Sequence, residues 1–95
     1  MVENLNYTQL LYREILAILL KSWDPIGVQD IPEAQDEYDT YVIPLSKLLI
    51  SNKSEHEIFE YLWWIETEYM GLSGDRSRIE AASRLLHSLL KEKRR

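Results

Sequence analysis

Apolar residues recur at helical spacing in four stretches of the chain, and nowhere does the two-residue alternation of a half-buried strand compete. The first stretch runs from about Asn6 or Tyr7 to Lys21. Leu11, Ile15, Ile18 and Leu19 form its stripe, widened by Leu10 and Leu20. A second opens at Asp30 or Ile31 with Pro32 in its first turn, and its apolar face is Ala34, Tyr38, Tyr41, Val42, Leu45, Leu48 and Leu49. Pro44 lies inside this pattern and lacks an N–H to donate to the preceding turn. The helix is therefore expected to kink or split near Thr40 to Val42. The third begins at a Ser54/Glu57 capping box, buries Ile58, Leu62, Ile65 and Tyr69, and stops at Gly71. The last starts at a second such box, Ser77 with Glu80. It turns Ile79, Ala82, Leu86 and Leu89 inward, with Leu85 and Leu90 beside them. The expected fold is all-α, a four-helix bundle-like domain spanning residues 1–95, with a frayed basic tail at 91–95.

Composition supports a folded core: 45% of the 95 residues are hydrophobic, and only three Gly and three Pro interrupt them. Cysteine is absent, which removes disulfides and thiolate chemistry and suits a reducing compartment. The run Leu10 to Leu20 is broken by Arg13 and Glu14. It is too short for a bilayer and lacks the flanks of a signal peptide, so a cytoplasmic protein is expected.

Charge changes the picture more than composition does. The net of −5 conceals a net of −9 between Asp24 and Glu68, where only Lys47 and Lys53 oppose eleven acids. Binding to nucleic acid needs a basic face, so that partner is not expected. A basic protein is. The acidic side chains expected at such an interface are those of the segment Asp24 to Asp39, namely Asp24, Asp30, Glu33, Asp36, Glu37 and Asp39, joined by Glu57, Glu60 and Glu66.

Candidate chemistry is sparse. His56 and His87 have no companions at metal-binding spacing, and no phosphate-binding glycine loop occurs. Asp36 with Asp39 and Glu57 with Glu60 stand one turn apart, so a carboxylate-bound divalent cation has to be weighed. Such spacing is more often a solvated helix face. No catalytic residue, cofactor or metal is expected. The aromatics leave two readings open. Trp63 and Trp64 are consecutive and point about 100° apart, so the third helix is either covered on several sides or presents a Trp to a partner. Tyr38 and Tyr41, set among acids, pose the same choice between core and binding anchor.

The stretch Trp23-Asp24-Pro25-Ile26-Gly27-Val28, then Pro32 to Tyr41 and Glu66 to Leu72, resembles a small bacterial family of unknown function. Its W-D-P-(I/L)-G loop leads into an acidic, Tyr-bearing helix. The resemblance implies a compact helical bundle and no settled activity. In size, charge and build, though not in a motif, the chain is also similar to immunity proteins of contact-dependent growth inhibition systems, which cover a basic toxin surface with acidic helices. The expected function is therefore neutralisation of a basic, nuclease-type toxin, with Asp30, Glu33, Asp36, Glu37, Tyr38, Asp39, Tyr41, Glu57, Glu60 and Trp64 as the contact residues. A homodimeric adaptor and a carboxylate-metal enzyme are the alternatives, and no membrane partner is expected.

Overall fold

The computed structural model describes residues 2–93, with side chains described for 8–34 and 36–90. Helix α1 (Val2–Ile18) continues directly into a π-helical turn, Leu19–Trp23. After a loop, the 3-10 helix Pro32–Tyr38 passes into α2 (Asp39–Ile50). Helix α3 (Glu55–Trp64) also ends in a π turn, Ile65–Tyr69, and α4 (Arg76–Lys93) completes the chain. Among the described residues there is no strand, and no helix is long and apolar enough to cross a membrane. The protein is an all-α, bundle-like domain. Helix α4 is its hub, packing on α3, α1, α2 and the π turn that ends α1.

The predicted stripes meet in one core. Leu11, Ile15 and Leu19 face Leu45 and Leu49 of α2, Ile58, Leu62 and Ile65 of α3, and Ile79, Ala82, Leu86 and Leu90 of α4. Burying a side chain of this kind contributes about 1.5–3 kcal/mol, which makes these stripes the main source of stability. Leu10 and Leu85 lie outside the core, 51% and 45% exposed, because each sits at the edge of its stripe. Tyr69, expected inside, is 68% exposed. The wider π turn displaces the inward face by one residue, so Met70 packs against the core in its place.

Helix ends follow local chemistry. The Ser54 hydroxyl accepts from the Glu57 N–H at 3.1 Å, and the Glu57 carboxylate accepts from the Ser54 N–H at 3.0 Å, as the capping box requires. The second box does not form. Asp75 caps α4 instead, its carboxylate accepting from the Arg78 N–H at 3.2 Å, and Arg76 already lies within the helix. The first helix starts earlier than its apolar stripe suggests, at Val2. The second segment is divided ahead of the position expected from Pro44. The break falls between Tyr38 and Asp39, and Pro44 sits inside α2. Lys91 to Lys93 belong to α4, while Arg94 and Arg95 of the expected basic tail lie outside the described residues.

The α3–α4 connection contains Gly71 and Gly74, both at positive φ, +74° and +92°. A Cβ on Gly71 would meet open space, whereas one on Gly74 would fall 2.7 Å from the Trp63 ring and 2.9 Å from the Thr67 methyl. Gly71→Ala should therefore lower stability by about 1 kcal/mol, the penalty of a left-handed alanine. Gly74→Ala adds a steric clash and should lose about 2–4 kcal/mol in all, read as the difference in urea midpoints. Equal losses at the two positions would show that Trp63 yields freely.

Candidate functional site

The sequence Trp23-Asp24-Pro25-Ile26-Gly27 folds around its own aspartate. Pro25 disfavours helical geometry at Asp24, which takes up left-handed backbone angles, φ 35° and ψ 57°, a conformation Asp tolerates better than most residues. The Asp24 carboxylate, 4% exposed, accepts from the backbone N–H of Val28 at 2.8 Å and of Gln29 at 3.2 Å. It also accepts from the Tyr38 hydroxyl at 2.8 Å. Tyr38 in turn accepts from the Ile26 N–H at 3.2 Å, so loop and 3-10 helix are stitched together on both sides of one phenol. Burial acts to raise the Asp24 pKa, but the hydrogen bonds from Val28, Tyr38 and Gln29 outweigh it and hold the carboxyl below the ordinary aspartate range. Burial, countered by the Ile26 N–H and reinforced by Asp24, keeps the Tyr38 hydroxyl protonated far beyond neutral pH.

A second buried carboxylate closes the knot. Glu66, 4% exposed, accepts from the Trp23 indole N–H at 2.8 Å through one oxygen and from the Asp75 N–H at 2.8 Å through the other. The Arg78 guanidinium donates to the Trp23 carbonyl at 3.3 Å. The ends of α1 and α3 and the start of α4 are thus joined through Trp23 and Glu66. Asp24 and Glu66, both buried and hydrogen-bonded, are consequently unavailable as docking carboxylates, contrary to the expectation from their acidic neighbourhood.

From this knot a chain of rings leads outward. Trp23 packs on Tyr38 and Tyr41 with centroids 5.4 and 6.0 Å away, Tyr41 meets Tyr69 edge-on at 6.4 Å, and Tyr69 stacks on Trp64 at 6.1 Å. Tyr38 is fully buried and Tyr41 is 9% exposed, so neither offers a ring to a partner. Their expected role as anchors gives way to a structural one. Trp64 is 52% exposed, and Trp63 is half-buried, stacked on Phe59. Of the tandem tryptophans, Trp63 is thus the covered one and Trp64 the exposed one. Sequence reasoning missed Tyr69, whose exposure depends on the π turn rather than on residue type.

The carboxylates of Asp30, Glu33, Asp36, Glu37 and Asp39 are all exposed. Among the described residues the ion pairs are His56–Glu60, Arg76–Glu80 and Arg78–Asp75, and none engages this run. Glu57 is exposed but committed to the capping box, and its pKa is lowered by its bonds to Ser54. Among the described residues no three His, Asp or Glu side chains converge on a cation-sized point, so Asp36, Asp39, Glu57 and Glu60 are not brought together as the metal alternative requires. A cleft of about 380 Å³ between α3 and α4 is lined by Glu55, His56, Phe59, Glu60, Arg76, Glu80 and Ser83. It is an open surface depression, and Arg76 covers its aromatic wall, 5.1 Å from the Phe59 ring and 5.3 Å from that of Trp63. Comparison with known protein families, curated proteins and solved structures returns no match to this chain.

A depressed carboxyl pKa links folding to pH. Asp24 binds its proton less readily folded than unfolded, so its contribution is complete above the unfolded value, about pH 4, and is lost as pH falls through the lower folded value. Asp24→Asn keeps the left-handed backbone and removes the charge. It should lose about 1–3 kcal/mol at pH 7 and flatten the acid limb of a stability-against-pH curve. Tyr38→Phe should lose about 1–2 kcal/mol, since it strands the Ile26 N–H. An acid limb unchanged in Asp24→Asn would assign that pH dependence to other groups.

Proposed function

We propose that the protein is a non-catalytic binding module that neutralises a basic, nuclease-type bacterial toxin, in the manner of an immunity protein acting in the cytoplasm. The observation that carries this reading is the run of five exposed carboxylates, Asp30, Glu33, Asp36, Glu37 and Asp39, uncompensated by ion pairs among the described residues. A nuclease surface is basic because it holds phosphates, and a run of carboxylates can occupy the same cationic groups. The segment that bears them is braced. Ile31 N–H donates to the Val28 carbonyl at 3.0 Å, Ala34 N–H to the Ile31 carbonyl at 2.9 Å, and Tyr38 is fastened to Asp24. A pre-ordered acidic segment loses little conformational freedom on docking, and that favours affinity as well as encounter rate.

A self-associating module is the second reading, supported by the exposure of Trp64 and Tyr69. For the first, the test is capture of the product of the adjacent gene, followed by calorimetric titration. Replacing Asp36, Glu37 and Asp39 together by Ala should weaken the complex by several kcal/mol, of the order seen for paired interface charges. Raising the salt from about 0.05 to 0.5 M should slow association severalfold. An affinity unmoved by the triple replacement would remove the acidic run from the interface.

A further inference from the structure

Helix α3 and the π turn that ends it carry two aromatic stacks of similar geometry. On one side Phe59 and Trp63 lie 5.9 Å apart at 12°, and the guanidinium of Arg76 sits over both rings. On another, Trp64 and Tyr69 lie 6.1 Å apart at 26°, and among the described residues no cation covers them. They are 52% and 68% exposed, large values for a Trp–Tyr pair that a packed domain would otherwise cover. Acid surrounds them. Glu60, exposed and within 3.5 Å of His56, stands one α turn before Trp64, exposed Glu68 is the chain neighbour of Tyr69, and Tyr69 packs on Tyr41, whose hydroxyl lies in the field of Glu37.

We propose that the Trp64–Tyr69 stack is the anchor of the binding surface and receives an arginine side chain of the basic partner, with Glu60, Glu68 and Glu37 as the surrounding charge. This rests on the reading of the protein as a binder of basic proteins and specifies which group it grips. A planar guanidinium stacks on ring faces and keeps its N–H groups free for the flanking carboxylates, whereas an ammonium is a compact, strongly hydrated charge. The anchor therefore selects arginine over lysine, a distinction that acidic side chains alone do not make. Its place at the outer end of the ring chain from Trp23 holds Tyr69 against a fixed support, Tyr41, which keeps the stack pre-formed.

The test is titration of the full chain with octa-arginine and octa-lysine peptides at low ionic strength, following the three indole N–H signals by NMR and affinity by calorimetry. The arginine peptide should bind about two- to fivefold more tightly, moving the Trp64 signal and leaving that of Trp23 in place. Trp64→Ala and, independently, Tyr69→Ala should bring the two peptides to the same affinity, with thermal melts confirming that each variant is folded. Equal binding of the two peptides, with Trp64→Ala without effect, overturns the anchor while leaving the acidic surface intact. An arginine preference that vanishes in Trp64→Ala, together with an affinity for both peptides unchanged by replacement of Asp36 and Asp39, supports the anchor and removes the acidic run instead. Failure of both peptides to bind overturns both. A concentration-dependent dimer that Trp64→Ala dissociates assigns the stack to a second copy and also overturns the proposal.

Discussion

The buried carboxylates of Asp24 and Glu66 impose the constraint on which the rest of the structure depends. A charged group taken out of water must recover its lost hydration from donors, and among the described residues neither of these forms an ion pair. Asp24 recovers it from two backbone N–H groups and a phenol, and Glu66 from an indole and a backbone N–H. Charge-assisted bonds of this kind are roughly twice as strong as neutral ones, so the arrangement is stable only while every donor is in place. Those donors come from the end of α1, the loop after it, the 3-10 helix and the cap of α4. The carboxylates therefore dictate where four separate parts of the chain must meet.

This division explains how an acidic segment can also be a packed one. Of the acids between Asp24 and Glu68, two are turned inward as hydrogen-bond acceptors and Glu57 is spent on a helix cap. The run from Asp30 to Asp39 is left to solvent, on a stretch whose backbone is pinned from beneath by Tyr38. The inward face of that stretch is aromatic and the outward face is charged. A change that loosens the knot therefore also loosens the surface above it.

The bundle was legible because its evidence is periodic. Leu11, Ile15 and Leu19, or Ile58, Leu62 and Ile65, announce a buried stripe without any knowledge of what covers it, and the Ser54 box is a purely local device. What escaped was non-periodic. The break at Tyr38 is set by a hydrogen bond to a residue fourteen positions away, while Pro44, the obvious candidate, is accommodated within α2. Tyr38 and Tyr41 are aromatic residues amid charge, a pattern that fits a binding anchor and a core equally well. Burial, and for Tyr38 the partners of its phenol, decide between them. Asp75 displaced Ser77 as a cap because the Glu66 carboxylate holds its N–H, a contact with no trace in local sequence. Of the candidate surface, the acidic run and Trp64 were readable from residue type, and Tyr69 was not.

The two π turns have a consequence for how the chain can change in length. Each is a helix carrying one surplus residue, closed by a bond from Asp24 N–H to the Leu19 carbonyl at 2.7 Å and from Met70 N–H to the Ile65 carbonyl at 2.8 Å. Each also sets two neighbouring residues inside together, Trp23 with Asp24 and Ile65 with Glu66. Deleting one surplus position from either would rewind the coil to an ordinary α turn, and because five π steps and four α steps rotate the chain by nearly the same angle, the helix before it would keep its facing. In α1 that would leave Leu11 and Ile15 turned towards the core as they are now. The stretch from Leu20 to Ser22 can therefore give up one residue as well as vary in side chain, while Leu19, Trp23 and Asp24, which the turn holds buried, are the positions that have to stay.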